Sequence, residues 1–413
     1  MLASVILAST VAIVNPGAEP TSWLESKVTT GESASLTLAS RRYVSETDGW
    51  PEVWLVGVTH IGDESFYDAV GELVADSDLV LYESVYAEVT LPPSGDTIQA
   101  QQNATSARLE WLAEAARACG GPDGDWPGSM DELQAKSVHV DRRMVDSVRS
   151  LRHDAWGHPV VLLRNGNTTV VRSYGADGRP GGEDAAEDLE VTLDLGEGSV
   201  AVEGIQESLA RGLDLEFQLK VLPYEREDWQ VSDMSWEALS AAFQESGVEI
   251  QGLSGMLEGS SLPAGIAKLF LRLLPALDVL TGGAVTDGVK VMLIELLGND
   301  QAVEIATREF GADVGRILID ERNIIVINDL VERSQVGDVD RIAVVYGAGH
   351  MADMGERLEA LGWTEQEVRW LPAITVDLEK SSLTKAHMMM IRRSVDMAMK
   401  RLEQRSAPAP DAE

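Results

Sequence analysis

Two stretches of sequence decide the fold, VWLVGVTHIGD (53–63) and RIAVVYGAGHMAD (341–353). Each is an apolar run of strand length that ends in Gly-x-x-His and leads into a segment with helical spacing. In open α/β sheets ligands bind where strands end, and glycine there lets the backbone approach a ligand closely. The two motifs therefore predict two strand ends that bring His60 and His350 to one site. The motif glycines are Gly57, Gly347 and Gly349.

The segments around these motifs predict an α/β fold. A helical pattern at 59–74 and a second apolar strand, DLVLYESV (78–85), follow the first motif, which favours a parallel sheet. SASLTLASRRYV (33–44) alternates as a strand and precedes 53–58, so the two predict a β-hairpin. EVRWLPAITVDL (367–378) predicts an edge strand. We therefore expect a mixed, largely parallel sheet with flanking helices, interrupted by a small α+β domain.

Glu83 is the third candidate for the site. It lies at the end of the strand 78–85, which we expect to pair with the strand of the first motif. A carboxylate buried there needs a partner. Histidine offers a ring nitrogen to a metal or acts as a base near neutral pH. His60, His350 and Glu83 together suit a divalent transition metal such as Mn, Co or Zn. The alternative is that the histidines merely cap strands.

Charge and cysteine content exclude several classes of protein. The 413-residue chain has a net charge of −35, from 68 acidic and 33 basic residues. Such a field repels nucleic acid and anionic membrane surfaces, so neither is expected as a partner. The one cysteine, Cys119, cannot form a disulfide within the chain. It lies in an alanine-rich helical stretch, which favours a small buried residue over a catalytic nucleophile.

The N-terminal residues indicate export. Residues 2–14 form an apolar run of signal-peptide length, too short to span a membrane, although no basic residues precede it. A periplasmic or secreted location is expected; a disordered or strand-forming terminus, and a cytoplasmic location, stay open. Residues 262–297 are apolar but interrupted by charges, which predicts two buried amphipathic helices and no stable transmembrane span. The methionine-rich helix AHMMMIRRSVDMAMKRL (386–402) is typical of a packing or homodimer helix.

Shifts in composition divide the chain into five parts. A Pro/Gly/Gln-rich linker at 91–103 and a turn-rich β segment at 155–195 frame a module inside the α/β domain. The predicted parts are a signal-like segment and linker (1–32), the first part of the α/β domain (33–100), the inserted domain (101–197), the second part of the α/β domain (198–380), and an amphipathic helix with a disordered tail (381–413).

The inserted segment carries an acidic, glycine-rich loop. Asp177, Asp184 and Asp188 can converge with backbone carbonyls as oxygen ligands, which is the pattern of a Ca²⁺ site. Glycines at 175, 178, 181 and 182 permit the tight path that such a loop needs. A solvated acidic turn is the alternative.

The α/β segments resemble a known group. GVTHIGDESFYDAV (57–70), DLVLYESV, DERN (320–323) and GAGHMADMGERLEALGW (347–363) are similar to the TraB/PrgY/GumN group of the TIKI/TraB superfamily, with QLKVLPYEREDWQVSDM (218–234) in support. The resemblance implies either a metal-dependent protease that acts outside the cell or a protein that binds or inactivates peptide pheromones.

That resemblance also implies roles for individual residues. His60, Glu83 and His350 form the site, and a metal on the two histidines lowers the pKa of a bound water. Glu83 either completes the coordination or acts as general base, and the sequence leaves both open. Arg322 and Asn323 occupy an Arg-Asn position that orients groups or stabilises charge, such as an oxyanion. A structural salt bridge is the alternative for Arg322.

The inserted segment resembles a second family. DAWGHP (154–159) and SYGADGRPGGEDAAED (173–188) are similar to the C-terminal domain of type II secretion major pseudopilins. The resemblance places Asp177, Asp184 and Asp188 on calcium-ligand positions. The segment departs from that family because it lacks the hydrophobic N-terminal pilin helix, so this copy is not an ordinary fibre subunit.

Two functions follow from these patterns. The first is an extracytoplasmic metal-dependent hydrolase with a peptide or protein substrate and a calcium-stabilised pseudopilin-like module. The second is a non-catalytic protein that binds peptides or associates with an envelope or secretion assembly.

Overall fold

The structure is a computed structural model. It describes residues 22–93, 95, 97–120, 126–165, 168–194, 210, 213–246, 285–298 and 312–406. The signal-like run at 2–14, the first part of the apolar stretch (262–284) and the tail from 407 onward lie outside the described residues.

Twelve strands occur in these ranges. They are β1 (Leu24–Thr29), β2 (Ser33–Ser45), β3 (Glu52–Val58), β4 (Ile61–Gly62), β5 (Leu79–Tyr82), β6 (Val161–Asn165), β7 (Thr168–Ser173), β8 (Leu189–Asp194), β9 (Glu216–Phe217), β10 (Trp229–Val231), β11 (Arg341–Gly347) and β12 (Trp363–Asp377).

Eleven α-helices lie in the described ranges. They are α1 (Glu64–Val74), α2 (Ile98–Ala118), α3 (Met130–Val140), α4 (Arg143–Ser150), α5 (Gln218–Val221), α6 (Trp236–Glu245), α7 (Val285–Leu297), α8 (Ala312–Gly315), α9 (Arg322–Val336), α10 (Met351–Ala360) and α11 (Lys385–Ser406). A π-helical turn spans Arg316–Glu321, and 3-10 turns span Glu88–Thr90, Gly175–Asp177, Asp184–Ala186 and Ala348–His350.

Seven strands form one mixed sheet, in the order β1-β2-β3-β11-β5-β10, with β12 on β2. The strands β3, β11, β5 and β10 are parallel, whereas β1, β2, β3 and β12 are joined by antiparallel pairs. The β2–β3 hairpin and the mixed α/β class are therefore confirmed. Parallel pairing covers one half of the sheet rather than most of it.

The expected pairing of Glu83's strand was wrong. The strand β5 does not pair with β3, because β11 lies between them and pairs in parallel with both. The connection from β3 through α1 to β5 skips one strand position in the sheet, and β11 occupies that position. As a result, the two Gly-x-x-His strands are direct neighbours.

Helices cover the parallel half of the sheet on both faces. On β11, Val344 and Tyr346 pack with α9 and α10, while Ala343 and Val345 pack with α1. Strands buried on both faces are near-continuous apolar runs rather than alternating ones. This double burial explains why both motif strands could be recognised in the sequence.

The C-terminal helix α11 packs along α7. Met388, Ile391 and Val395 are buried in the same cluster as α7 residues such as Leu293. The packing role expected for this methionine-rich helix is thus confirmed, although Met389 on another face is 67% exposed. Its role in a homodimer stays a prediction. None of the helices described is both long and apolar enough to cross a bilayer.

The inserted segment forms an α+β unit with its own core. The strands β6, β7 and β8 make an antiparallel sheet, and Leu109, Leu133 and Val171 meet between it and the helices α2 and α3. Cys119 is buried in this core with its Sγ 3.8 Å from Ser137 Oγ. Burial raises the pKa of the thiol, which opposes a nucleophilic role.

Candidate functional site

The carboxyl ends of the parallel strands bring three candidate residues together. His60 follows β3, Glu83 follows β5, and His350 ends the 3-10 turn after β11. His350 Nε2 lies 3.7 Å from Glu83 Oε1. His60 is close enough to this pair that its charge and that of Glu83 shift each other's pKa. His350 is fully buried, whereas His60 is partly exposed, so the site has an inner and an outer histidine.

Glu83 is ionised and held on both oxygens. Its Oε1 accepts a hydrogen bond from Arg322 Nη2 at 2.8 Å, and its Oε2 accepts one from the backbone N–H of Gly347 at 2.7 Å. Burial alone would raise the pKa of Glu83. The Arg322 guanidinium, with smaller effects from His350 and His60, instead holds that pKa well below its usual range.

Arg322 lies in a buried ion-pair cluster. Its Nε and Nη2 donate to the two carboxylate oxygens of Asp233 at 2.8 and 2.7 Å, and its Nη1 donates to Leu318 O at 3.2 Å. Burial would lower the pKa of Arg322, but Asp233 and Glu83 raise it well above its ordinary value. The donors of Arg322 therefore face Asp233, Glu83 and Leu318 O, which agrees with the alternative role of Arg322 as a structural salt bridge. Two carboxylates thus share one guanidinium. Burial raises the pKa of Asp233, against the lowering effect of Arg322.

Asn323 fixes the protonation pattern of His350. Asn323 Nδ2 donates to Asp353 Oδ2 at 2.7 Å, so its Oδ1 faces His350 Nδ1, also at 2.7 Å. Since that oxygen only accepts, Nδ1 carries the ring proton and Nε2 carries the lone pair. Nε2 is buried and has no hydrogen-bond partner among the described residues. Burial lowers the pKa of His350 to about 4, against the opposing effect of Glu83.

Gln218 orients His60 in a similar way. Its backbone N–H donates to His60 O at 2.9 Å, and its Nε2 donates to Tyr224 Oη at 2.7 Å. A hydrogen bond between the imidazole and the side chain of Gln218 raises the pKa of His60. Burial has the largest effect and lowers that pKa, while Glu83 raises it and Arg143 lowers it further. Both imidazoles are therefore neutral, and each is oriented by the side-chain amide of a neighbour, Asn323 for His350 and Gln218 for His60.

Gly57 of the first motif and two residues next to the motifs, Asp63 and Tyr82, have packing roles. A Cβ on Gly57 would lie 3.1 Å from Ala39 O, so its glycine serves the packing of the sheet rather than the approach of a ligand. Asp63 Oδ2 accepts hydrogen bonds from the backbone and hydroxyl of Thr375. The ring of Tyr82 packs against that of Tyr224 at a tilted angle, with a centroid distance of 4.8 Å.

Sequence reasoning missed four residues of the site. Asp233 follows β10 at the same sheet edge, but a strand of three residues gives no periodic signal. Asp353 lies three residues after His350 in the first turn of α10, a spacing that could have identified it. Gln218 belonged to the supporting pattern without a role. The fourth is Arg143, which comes from the inserted unit.

The acidic loops of the inserted unit lie against each other. A Cβ on Gly175 would be 2.8 Å from the backbone of Ala186, so residues 175–177 and 184–186 are in close contact. The expected glycine conformations are confirmed, since Gly175, Gly178, Gly181 and Gly182 all have positive φ. Asp184 also has a φ of 54°. Asp177 Oδ1 and Asp188 Oδ1 each accept a backbone N–H, from Arg179 and Gly181.

Metal coordination is not preformed. In the part of the chain that the structure describes, no three His, Cys, Asp or Glu side chains are arranged to hold an ion. This holds both for the strand-end site and for the acidic loops.

Comparison with known proteins identifies the inserted segment. Residues 95–192, about a quarter of the chain, match the family described as type II secretion system (T2SS), protein G. The match includes the acidic loops and agrees with the pseudopilin resemblance. No curated protein and no solved structure matches the chain. The TraB-like resemblance of the α/β segments has no support from these comparisons.

Proposed function

We propose that the protein is an extracytoplasmic metal-dependent hydrolase of peptidase type, with its site at His60, Glu83 and His350. One observation carries the proposal. Two neutral imidazoles, each oriented by an amide side chain, meet an ionised carboxylate at the shared edge of parallel strands. That edge is where α/β proteins place their ligands.

Two features of the site suit a divalent cation. The lone pair of His350 Nε2 and a carboxylate oxygen of Glu83 are both electron-rich, yet they lie 3.7 Å apart, and a second carboxylate, that of Asp233, shares the guanidinium that binds Glu83. Zinc–nitrogen and zinc–oxygen distances are each about 2.0–2.2 Å, so one ion can touch both atoms. When bound to His60 and His350, such an ion would activate water and polarise a carbonyl group.

The roles of the protein's own groups follow from their partners. An acid with a pKa as low as that of Glu83 accepts protons poorly, which favours holding the cation over general base catalysis. Arg322 is bound to Asp233 and Glu83, so it positions Glu83 rather than meeting an oxyanion. Asn323 keeps the lone pair of His350 facing the site.

The test measures bound metal and cleavage of casein together. Purified wild type is expected to carry Mn, Co or Zn and to cleave casein in a reaction that EDTA abolishes. His60→Ala and His350→Ala should each lower bound metal and reduce cleavage by at least about 100-fold. His139→Ala, an exposed histidine on α3, should change neither. Cleavage that persists in EDTA or in both variants would rule out the proposed mechanism.

The match to T2SS protein G supports a second candidate. A secretion-family unit inserted in the chain favours an envelope or secretion context, in which the strand-end site captures a peptide without cleaving it. The same experiment separates the two candidates. Metal-free wild type that binds casein peptides and leaves them intact favours the binding protein.

We further propose that the acidic loops bind Ca²⁺ through Asp177, Asp184 and Asp188. The proposal is supported by the close contact between the turns that carry Asp177 and Asp184, and by the hydrogen bond from the Gly181 N–H to Asp188 Oδ1. Adding millimolar Ca²⁺ to EDTA-treated protein should raise its melting temperature by several degrees, since a ligand of the folded state stabilises it. Asp177→Ala should abolish the shift, and Asp131→Ala, an exposed aspartate of the same unit, should retain it. Equal melting with and without Ca²⁺ in the wild type contradicts the site.

A further inference from the structure

The inserted unit reaches the strand-end site through two arginines at the start of α4. Arg142 donates its backbone N–H to Leu219 O in α5 at 3.1 Å. Arg143 donates from Nη1 to Ser84 Oγ at 3.3 Å, and Ser84 is the neighbour of Glu83. These contacts fix α4 against the edge of the sheet and place a guanidinium from the inserted unit at the site.

The guanidinium of Arg143 is held on one side. Asp141 accepts from Nε at 3.0 Å and from Nη2 at 2.6 Å, so it occupies the side fork of the group. Of the five guanidinium N–H groups, Asp141 and Ser84 engage three among the described residues. Each Nη atom keeps one N–H beyond these bonds, and a carboxylate can accept hydrogen bonds from both Nη atoms of a guanidinium.

Exposure separates Arg143 from the other arginine of the site. The Arg322 side chain is 5% exposed, and its donors face Asp233, Glu83 and Leu318. The Arg143 side chain is 28% exposed. Of these two cations, Arg143 is therefore the one that a ligand can reach.

Arg143 also lies on the His60 side of the site. Its neighbour Arg142 donates to Leu219 O, and the residue before Leu219, Gln218, donates its backbone N–H to His60 O at 2.9 Å. A group bound to Arg143 would thus sit beside the outer, partly exposed histidine.

We propose that Arg143 binds a carboxylate of the ligand and makes the site selective for peptides that carry one. The inference rests on the proposed function for the peptide nature of the ligand. It also gives the inserted unit a direct part in recognition, because the specificity residue belongs to that unit.

Binding of peptide libraries tests this assignment without requiring catalysis. The probes are three random hexapeptide libraries with an N-terminal dansyl group, a fluorophore without a carboxylate, measured by fluorescence anisotropy in EDTA. The first lacks Asp and Glu and ends in a carboxylate; the second is the same with a C-terminal amide; the third has the amide and includes Asp and Glu. The first and third distinguish a terminal carboxylate from a side-chain carboxylate.

The expected result is a preference of about tenfold for the first or the third library over the second. Arg143→Gln should abolish the preference. Arg149→Gln should keep it, because Arg149 lies on the same helix and pairs with Asp146. Arg143→Lys keeps the positive charge but not the paired N–H donors of the guanidinium, so it should lose most of the preference. If circular dichroism shows that Arg143→Gln is unfolded, Arg143→Lys takes its place in the test.

Three outcomes overturn the proposal: equal binding of all libraries by the wild type, a full preference in folded Arg143→Gln, or a full preference in Arg143→Lys. Failure of the hydrolase proposal is recognised separately. A carboxylate preference in a protein that cleaves no casein leaves Arg143 as the binding residue and removes the catalytic role of the site.

Discussion

Replacing Arg322 with alanine is expected to lower the free energy of unfolding by about 3–5 kcal/mol. The guanidinium is 4% exposed and pairs with Asp233, also 4% exposed, and with Glu83. Its removal leaves two buried carboxylates facing each other without a cation. Urea denaturation at neutral pH, followed by circular dichroism, measures the loss.

A matched control lies on the same helix. Arg333 pairs with Asp338 at 3.2 Å, and both side chains are at least one-third exposed. Arg333→Ala should cost less than about 1 kcal/mol, as is usual for a surface pair. Adding Asp233→Asn to Arg322→Ala should recover part of the loss by removing one unpaired charge. Equal losses for Arg322→Ala and Arg333→Ala would show that the buried cluster contributes little.

The second large effect is a dependence of stability on pH that His350 produces. Its folded pKa is about 4, against an ordinary value of 6.5. Between these values the unfolded chain binds a proton that the folded protein excludes, so stability falls as the pH falls from about 6.5 to 4. At about 1.4 kcal/mol per pKa unit, the loss across this window is about 3 kcal/mol.

A comparison of variants measures the contribution of His350 to this pH dependence of stability. In His350→Gln, the fall in unfolding free energy between about pH 7 and pH 4 should be smaller than in the wild type by about 3 kcal/mol. His139→Gln, at an exposed position of α3, should behave as the wild type does. Glu83 affects a lower range, because stabilisation by a depressed carboxyl pKa is lost only below its ordinary value of 4.5. An unchanged pH dependence in His350→Gln contradicts the buried neutral imidazole.

The sequence predicted the parts of the site that depend on strand ends. Apolar runs buried on two faces marked β3, β5 and β11, and parallel strands end at one edge, so His60, Glu83 and His350 were expected to meet. Their placement in the structure agrees with that expectation. The periodicity could not show which strand neighbours which, and for that reason the partner of β5 was wrong.

The remaining site residues depend on contacts that no local pattern encodes. Asp233 follows a three-residue strand, and its partner is the guanidinium of Arg322, 89 positions further along the chain. Arg143 reaches the site only because α4 contacts α5. The packing of one unit against another produces no periodic pattern in the sequence of either unit. The orientation of Asn323 follows from Asp353, which had no assigned role.

The central position of β11 has a consequence for biosynthesis. The ribosome makes β3 and β5 first, but the strand that joins them is complete only at residue 347. Until then the nascent chain presents two unpaired strand edges, which are prone to wrong pairing, while the inserted unit already has all of its strands and can fold early. The fold thus delays the assembly of the strand-end site until β11 has been synthesised, and a chain that stops short of β11 lacks the strand that joins β3 to β5.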